Sequence, residues 1–304
     1  MNDRSLSDLP GDVRHIALDS RGFRECHYRS QDGLKLYYRE YGDAAADDER
    51  PPVLCLSGLT RNSRDFHDLA LRLAPQRRVL APDYRGRGKS AWDSDWRNYR
   101  PEMYLSDIFD LLAVADAPRV VVVGTSMGGL LAIGLTAYRP TCLAGVVLND
   151  IGPELNPEGY RRIQHYIATD RPQRDWEAAI ADIRDLFPNL AFQRAEQWQR
   201  LAEGTYSRGA DGLLHFSWDI ALARQLGASQ ARFPDLWPMF RALGNRPVLA
   251  LRGQISDVLS EATFDRMAVE KPDMMRAVVP GVGHVPALDE EESLLALDEF
   301  FARI

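Results

Sequence analysis

The sequence predicts an α/β protein in which a doubly wound, mostly parallel sheet is interrupted by an inserted helical cap. Three observations carry this expectation. Short apolar runs without polar alternation recur at 53–56, 79–81, 120–123, 145–148, 248–251 and 277–279, the pattern of strands covered on both faces. Segments with helical spacing alternate with these runs, as they do when helices wrap a parallel sheet. The alternation stops between residues 152 and 240, where helical pieces broken by prolines gather 12 of the chain's 28 aromatic residues. Even spreading would place about 8 there.

Residues 23–41 read as two strands around a Gln31-Asp32-Gly33 turn, and a polar stretch at 43–52 ends them. Helical spacing follows at 64–73, 102–115, 130–138, 263–269 and 291–303. In 102–115 the stripe Leu105, Ile108, Leu112 and Ala115 faces one side, and Pro101 suits the first helical turn. The core domain is therefore expected at 1–151 and 241–304. The cap is expected at 152–240, with helical pieces at 160–168, 176–187 and 191–202. In such sheets ligands bind at the carboxyl ends of the strands.

Composition excludes several classes. The chain has 304 residues and a formal charge of −7, with no basic face for a phosphate backbone, so no nucleic-acid partner is expected. No apolar run approaches the roughly 20 residues that span a bilayer, and residues 1–11 lack the apolar centre of a secretory signal. Three scattered cysteines, Cys26, Cys55 and Cys142, have no metal-ligand spacing and read as reduced thiols of a cytoplasmic protein. Neither a metal nor a cofactor is expected; the partner is a small-molecule substrate.

The most informative stretch is VVVVGTSMGG at 120–129, where a buried-strand run feeds G-x-S-x-G at Gly124, Ser126 and Gly128 and then a helix. That context fits a nucleophile elbow, in which a strained turn presents the serine hydroxyl to a cleft. A glycine-rich turn with a capping serine is the plainer alternative for the pentapeptide alone. A serine nucleophile needs a base, and the base needs an acid to hold it. Of the three histidines after Ser126, His165 and His215 lie in the cap, whereas His284 follows a core strand in PGVGHVP. His284 is the expected base. For the acid, Asp257 follows the run at 247–251 and is preferred because its loop leads into a helix pattern. The rival, Asp150 in VVLNDIG, ends a strand that runs into the cap. Either aspartate could instead be a simple turn cap.

These residues resemble those of an α/β-hydrolase fold enzyme with a helical cap, over nearly everything from residue 23 to 304. VLAPDYRGRGKS at 79–90 is similar to the family's strand-four turn, and LCLSGLT at 54–60 to its oxyanion loop. Many relatives carry histidine before that loop's glycine, where this chain has Ser57. The resemblance implies an oxyanion hole made by the backbone N–H groups of Leu59 and Met127, which any side chain at 57 leaves available. GRGKS at 86–90 lacks the first glycine of a P-loop, having Asp83 there, so nucleotide binding is set aside. Arg85 and Arg87 read as structural, paired with carboxylates. Arg61 and Arg64 read first as the polar start of a helix beside the pocket, with Arg61 or Arg64 as a candidate for binding a substrate carboxylate and Arg61 as a candidate substrate contact. Trp218 is a candidate substrate contact among the cap aromatics Tyr160, Tyr166, Trp176, Phe187, Phe192, Trp198 and Phe216.

The expected activity is hydrolysis of a small to medium carboxylic ester or lactone through an acyl-enzyme on Ser126. Serine at that position disfavours relatives that use aspartate there, such as dehalogenases. A carbon–carbon bond hydrolase acting on a diketone is the enzymatic alternative. A non-catalytic ligand-binding receptor on the same fold is the alternative of another class.

Overall fold

The valines at 120–123 show how the sheet is built. Val120 and Val122 pack into one hydrophobic core with Leu54, Leu56, Leu105 and Ile108, while Val121 and Val123 pack into a second with Val53, Cys55, Phe66 and Phe300. Side chains alternate across a strand, so an all-apolar run is what a sheet covered on both sides requires. The computed structural model describes residues 19–42, 50–187, 190, 192, 194–228 and 234–304. The residues before 19 and those at 43–49, which include most of the expected polar break, lie outside the described residues.

Eight strands form the sheet: β1 (Phe23–Arg29), β2 (Lys35–Tyr41), β3 (Val53–Leu56), β4 (Val79–Asp83), β5 (Val120–Thr125), β6 (Leu143–Asn149), β9 (Val248–Gly253) and β10 (Met275–Val279). Their order is β1-β2-β4-β3-β5-β6-β9-β10. The β1–β2 and β2–β4 pairs are antiparallel and the rest parallel, in register Val53 with Val79 and Val121, and Val146 with Val248. The core helices are α1 (His67–Leu73), α2 (Pro101–Val114), α3 (Met127–Tyr138), α9 (Glu261–Glu270) and α10 (Glu291–Phe301). A short 3-10 turn, Ser63–Phe66, precedes α1, capped by the Asn62 side chain. The expected helix starting at 64 is thus a 3-10 turn running into an α-helix.

The insertion holds α4 (Pro157–Ile167), α5 (Trp176–Leu186), α6 (Ala195–Thr205), the hairpin β7 (Tyr206–Arg208) with β8 (Leu214–Phe216), and α7 (Leu222–Ala228). The hairpin has no counterpart in the sequence expectation, because three-residue strands leave no readable alternation. A last helix, α8 (Trp237–Arg241), straddles the expected boundary at 240 and lies on the core, where the Thr136 hydroxyl of α3 donates to the Met239 carbonyl at 3.0 Å. The expected helical piece at 191–202 begins at Ala195; residues 191 and 193 lie outside the described residues, as does the side chain of Tyr160. Cys26, Cys55 and Cys142 are buried and unpaired. Among the described residues no helix is long and apolar enough to cross a membrane.

Candidate active site

Ser126 stands between the end of β5 and the start of α3 with φ 52° and ψ −118°. A side chain at positive φ there is strained by roughly 1–3 kcal/mol. The flanking glycines make the turn possible: a Cβ on Gly128 would lie 2.0 Å from the Leu56 carbonyl oxygen, and one on Gly124 would lie 2.6 Å from the Gly128 backbone. The Ser126 N–H is tied to the Asn149 carbonyl of neighbouring β6 at 3.1 Å.

His284 follows β10 and reaches back over the strand ends. Its Nε2 lies 3.0 Å from Ser126 Oγ and its Nδ1 lies 2.7 Å from Asp150 Oδ2. Asp150 is fully buried; with the Nδ1–H tautomer its carboxylate accepts from His284, and Nε2 faces Ser126 Oγ with a free acceptor lone pair.

Two further donors hold Asp150. The Gly253 N–H at the end of β9 donates to Oδ1 at 2.9 Å, and the Ser256 hydroxyl donates to Oδ2 at 2.6 Å. Asp150 itself sits at φ 55°, turning sharply off β6. Ser256 is not among the residues expected from the sequence; a serine after a strand carries no signal of its own, and only the crossing of the two strand ends reveals it.

The structure departs from the sequence expectation for the residue beside His284. Asp257, the preferred residue, does not bond His284: its two oxygens accept from Arg162 Nε and Nη2 of α4 at 2.7 and 3.0 Å. Burial pushes the Asp257 carboxyl up, but the Arg162 bonds, with a smaller contribution from the nearby His284, outweigh it and leave the group below its ordinary value. The rival Asp150 takes the place beside His284, because β6 adjoins β5 in the sheet and its end therefore lies beside the Ser126 turn.

Leu59 lines the cavity with Ser126, and Met127 directly follows Ser126 in the chain. The N–H of each has no partner among the described residues, and Met127 opens α3, where helix N–H groups point outward unsatisfied. A Cβ on Gly58 would come 3.8 Å from Ser126 Cβ, so the Leu59 loop runs close to Ser126. Arg87, expected to pair with a carboxylate, supports that loop instead. Its Nε donates to the Leu59 carbonyl at 2.8 Å and its Nη1 to the Arg85 carbonyl and Tyr104 hydroxyl, and it has no carboxylate partner among the described residues. Arg85 does pair as expected, with Asp32, Asp93 and Asp107.

A cavity of about 190 Å³ opens over Ser126 and His284, roofed by α4 and α6. Tyr166, Phe187 and Phe192 of the cap line it. Trp218 is not a lining residue. It stacks on Phe216 with centroids 4.0 Å apart, sits edge-on to Tyr166, and its backbone bridges to Arg87, which draws it behind the cavity wall. Arg61 lines the cavity, with its guanidinium held by Asp65 and the Thr205 hydroxyl. Arg61, Asn62 and Arg64 all bond the end of α6, at Thr205, Gly204 and Glu203, so the polar segment after Leu59 ties the inserted helices to the core. Among the described residues no group of His, Cys, Asp and Glu could hold a metal ion.

Comparison with known proteins agrees with this architecture. Residues 53–297 match the model of the alpha/beta hydrolase family. The chain is 33% identical over 290 residues to a 3-hydroxybutyrate-oligomer hydrolase of Cupriavidus necator, covering 92% of this chain and 97% of that one. It is 28% identical to a 2-(acetamidomethylene)succinate hydrolase of Mesorhizobium japonicum, covering 88% and 91%. Among solved structures, an alpha/beta hydrolase of Novosphingobium aromaticivorans superposes with a TM-score of 0.87 at 41% identity, covering 93% of this chain and 99% of that one.

Proposed function

Because the chain belongs to the alpha/beta hydrolase family, we propose that it is a serine hydrolase that cleaves a small to medium carboxylic ester or lactone through an acyl-enzyme on Ser126. The observation that carries this reading is the unbroken relay Ser126–His284–Asp150 beneath a cap-covered cavity.

In the first half-reaction His284 Nε2 takes the serine proton as Oγ attacks the ester carbonyl. Asp150 holds the imidazole in the required tautomer and stabilises the imidazolium. The N–H groups of Leu59 and Met127 bind the oxyanion, an interaction whose loss typically costs about 3 kcal/mol of transition-state stabilisation. His284 then returns its proton to the departing alcohol. Water, activated by the same imidazole, attacks the acyl-enzyme and releases the acid. The 33% identical relative, named for hydrolysis of 3-hydroxybutyrate oligomers, supports an ester of a short hydroxy acid as the substrate class. The modest cavity volume and its aromatic lining fit a substrate of that size.

The test is turnover of p-nitrophenyl butyrate and of a 3-hydroxybutyrate dimer, together with labelling by a fluorophosphonate. Wild-type protein is expected to hydrolyse at least one of the esters and to label at Ser126, and Ser126→Ala to lose both properties. Absence of turnover and labelling in the wild type would sink the proposal in favour of a ligand-binding protein. Preferential cleavage of a vinylogous diketone would instead move the reaction to the carbon–carbon class.

A further inference from the structure

We propose that Arg162 of the cap binds a carboxylate on the substrate, held in place by Asp257, so that the site prefers esters whose body carries a free acid. This rests on the ester-hydrolase reading above and deepens it.

Arg162 and Tyr166 are one turn apart on α4, and both line the cavity that contains Ser126 and His284. Asp257 engages two nitrogens of the guanidinium, Nε and Nη2, and so fixes its plane. The third, Nη1, has no partner among the described residues, and the side chain is 32% exposed. A guanidinium held by one acid with a donor edge open to a substrate cavity is a prepared receptor for a second carboxylate.

The surroundings fit a single negative charge. The Tyr166 hydroxyl, pushed up by burial against the smaller opposing pull of Arg162 and Arg61, lies 3.3 Å from Thr60 Oγ1, so two hydroxyls stand beside the guanidinium. Each lining carboxylate is already neutralised: Asp65 by Arg61, Asp68 by Arg200 and Asp289 by Arg194. The side chain of Arg64, also in the lining, bonds only the Glu203 carbonyl among the described residues. The cavity wall therefore carries a surplus of positive charge, which favours an anion over a neutral ester body. If the Arg162–Asp257 pair were only a fastening between cap and core, its loss would affect stability without altering that preference.

The experiment measures binding rather than turnover. In the full-length Ser126→Ala protein, titration calorimetry compares the 3-hydroxybutyrate dimer with its methyl ester. The free acid is expected to bind more tightly. Arg162→Gln in that background should cut the ratio of the two affinities at least about tenfold, the scale of one charge-assisted hydrogen bond. Arg162→Lys, which keeps the charge without the fork, should recover part of the ratio and stands in should the glutamine variant fold poorly. Equal affinity for acid and methyl ester, or a ratio indifferent to position 162, overturns the proposal. Preference for the acid without ester turnover by the wild type would fault the hydrolase reading alone and leave Arg162 as a carboxylate site.

Discussion

Two aspartates follow neighbouring strands of the sheet and meet opposite fates. Asp150 leaves β6 at positive φ, is fully buried, and is shared among His284, Ser256 and the Gly253 N–H. Asp257 comes a few residues after β9, is about one-third exposed, and is held by Arg162 of the cap. The loop after β9 therefore contributes to both carboxylate environments. Its serine props the carboxylate beside His284, and the next residue faces the other way to meet the cap. The two aspartates differ in the donors that converge on each carboxylate and not in their kind of place after a strand. Burying a carboxylate is costly unless hydrogen bonds compensate it, and at Asp150 the Gly253 N–H, the Ser256 hydroxyl and the His284 ring all converge on the group.

The largest test of this contrast is the pair Asp150→Asn and Asp257→Asn. Asp150→Asn is expected to lower kcat for a p-nitrophenyl ester by about four orders of magnitude, because an amide cannot hold the productive imidazole tautomer. The drop for Asp257→Asn should be at least a hundredfold smaller. Steady-state kinetics decide it, and the reverse ranking would return the role to Asp257.

A smaller effect comes from Ser256. Removing its hydroxyl leaves Asp150 with the Gly253 N–H and His284, so Ser256→Ala is expected to lower kcat roughly tenfold with little change in KM. Ser256→Thr, which retains the hydroxyl, should restore most of the loss. An unaltered kcat in the alanine variant would show that Gly253 and His284 alone suffice to position the acid.

What the sequence revealed and what it concealed divide along the same line. The sheet was legible because every central strand is a continuous apolar run, and G-x-S-x-G at the end of one such run marks the turn at Ser126 from local chemistry alone. His284 was legible from chain order. The choice between Asp150 and Asp257 was not, since it depends on β6 lying beside β5 and on Arg162, 95 residues away, capturing Asp257. Trp218 misled for a related reason. Its aromatic character fits a pocket wall or a packed core equally, and its stacking on Phe216 settles it as packing. The tie from Arg61, Asn62 and Arg64 to α6 was hidden as well, because polar residues that open a helix look the same whether they face solvent or another domain.

The smallest expected effect concerns stability. Against the push of burial, the Arg162 bonds hold the Asp257 carboxyl below its ordinary value of 3.8. A group depressed in the folded state contributes stability above its unfolded value and loses that contribution as pH falls through its folded one. Asp257→Asn should therefore lower the melting temperature at pH 7, and the difference from wild type should shrink as pH falls below about 4. Partial exposure limits the pair to about 1 kcal/mol, or no more than about 4 °C in a chain of this size. Thermal melts of the two proteins from pH 7 to pH 3 provide the measurement. A gap that widens in acid would mean that Asp257 is not held as a carboxylate by Arg162, and the contrast with Asp150 would lose one of its two sides.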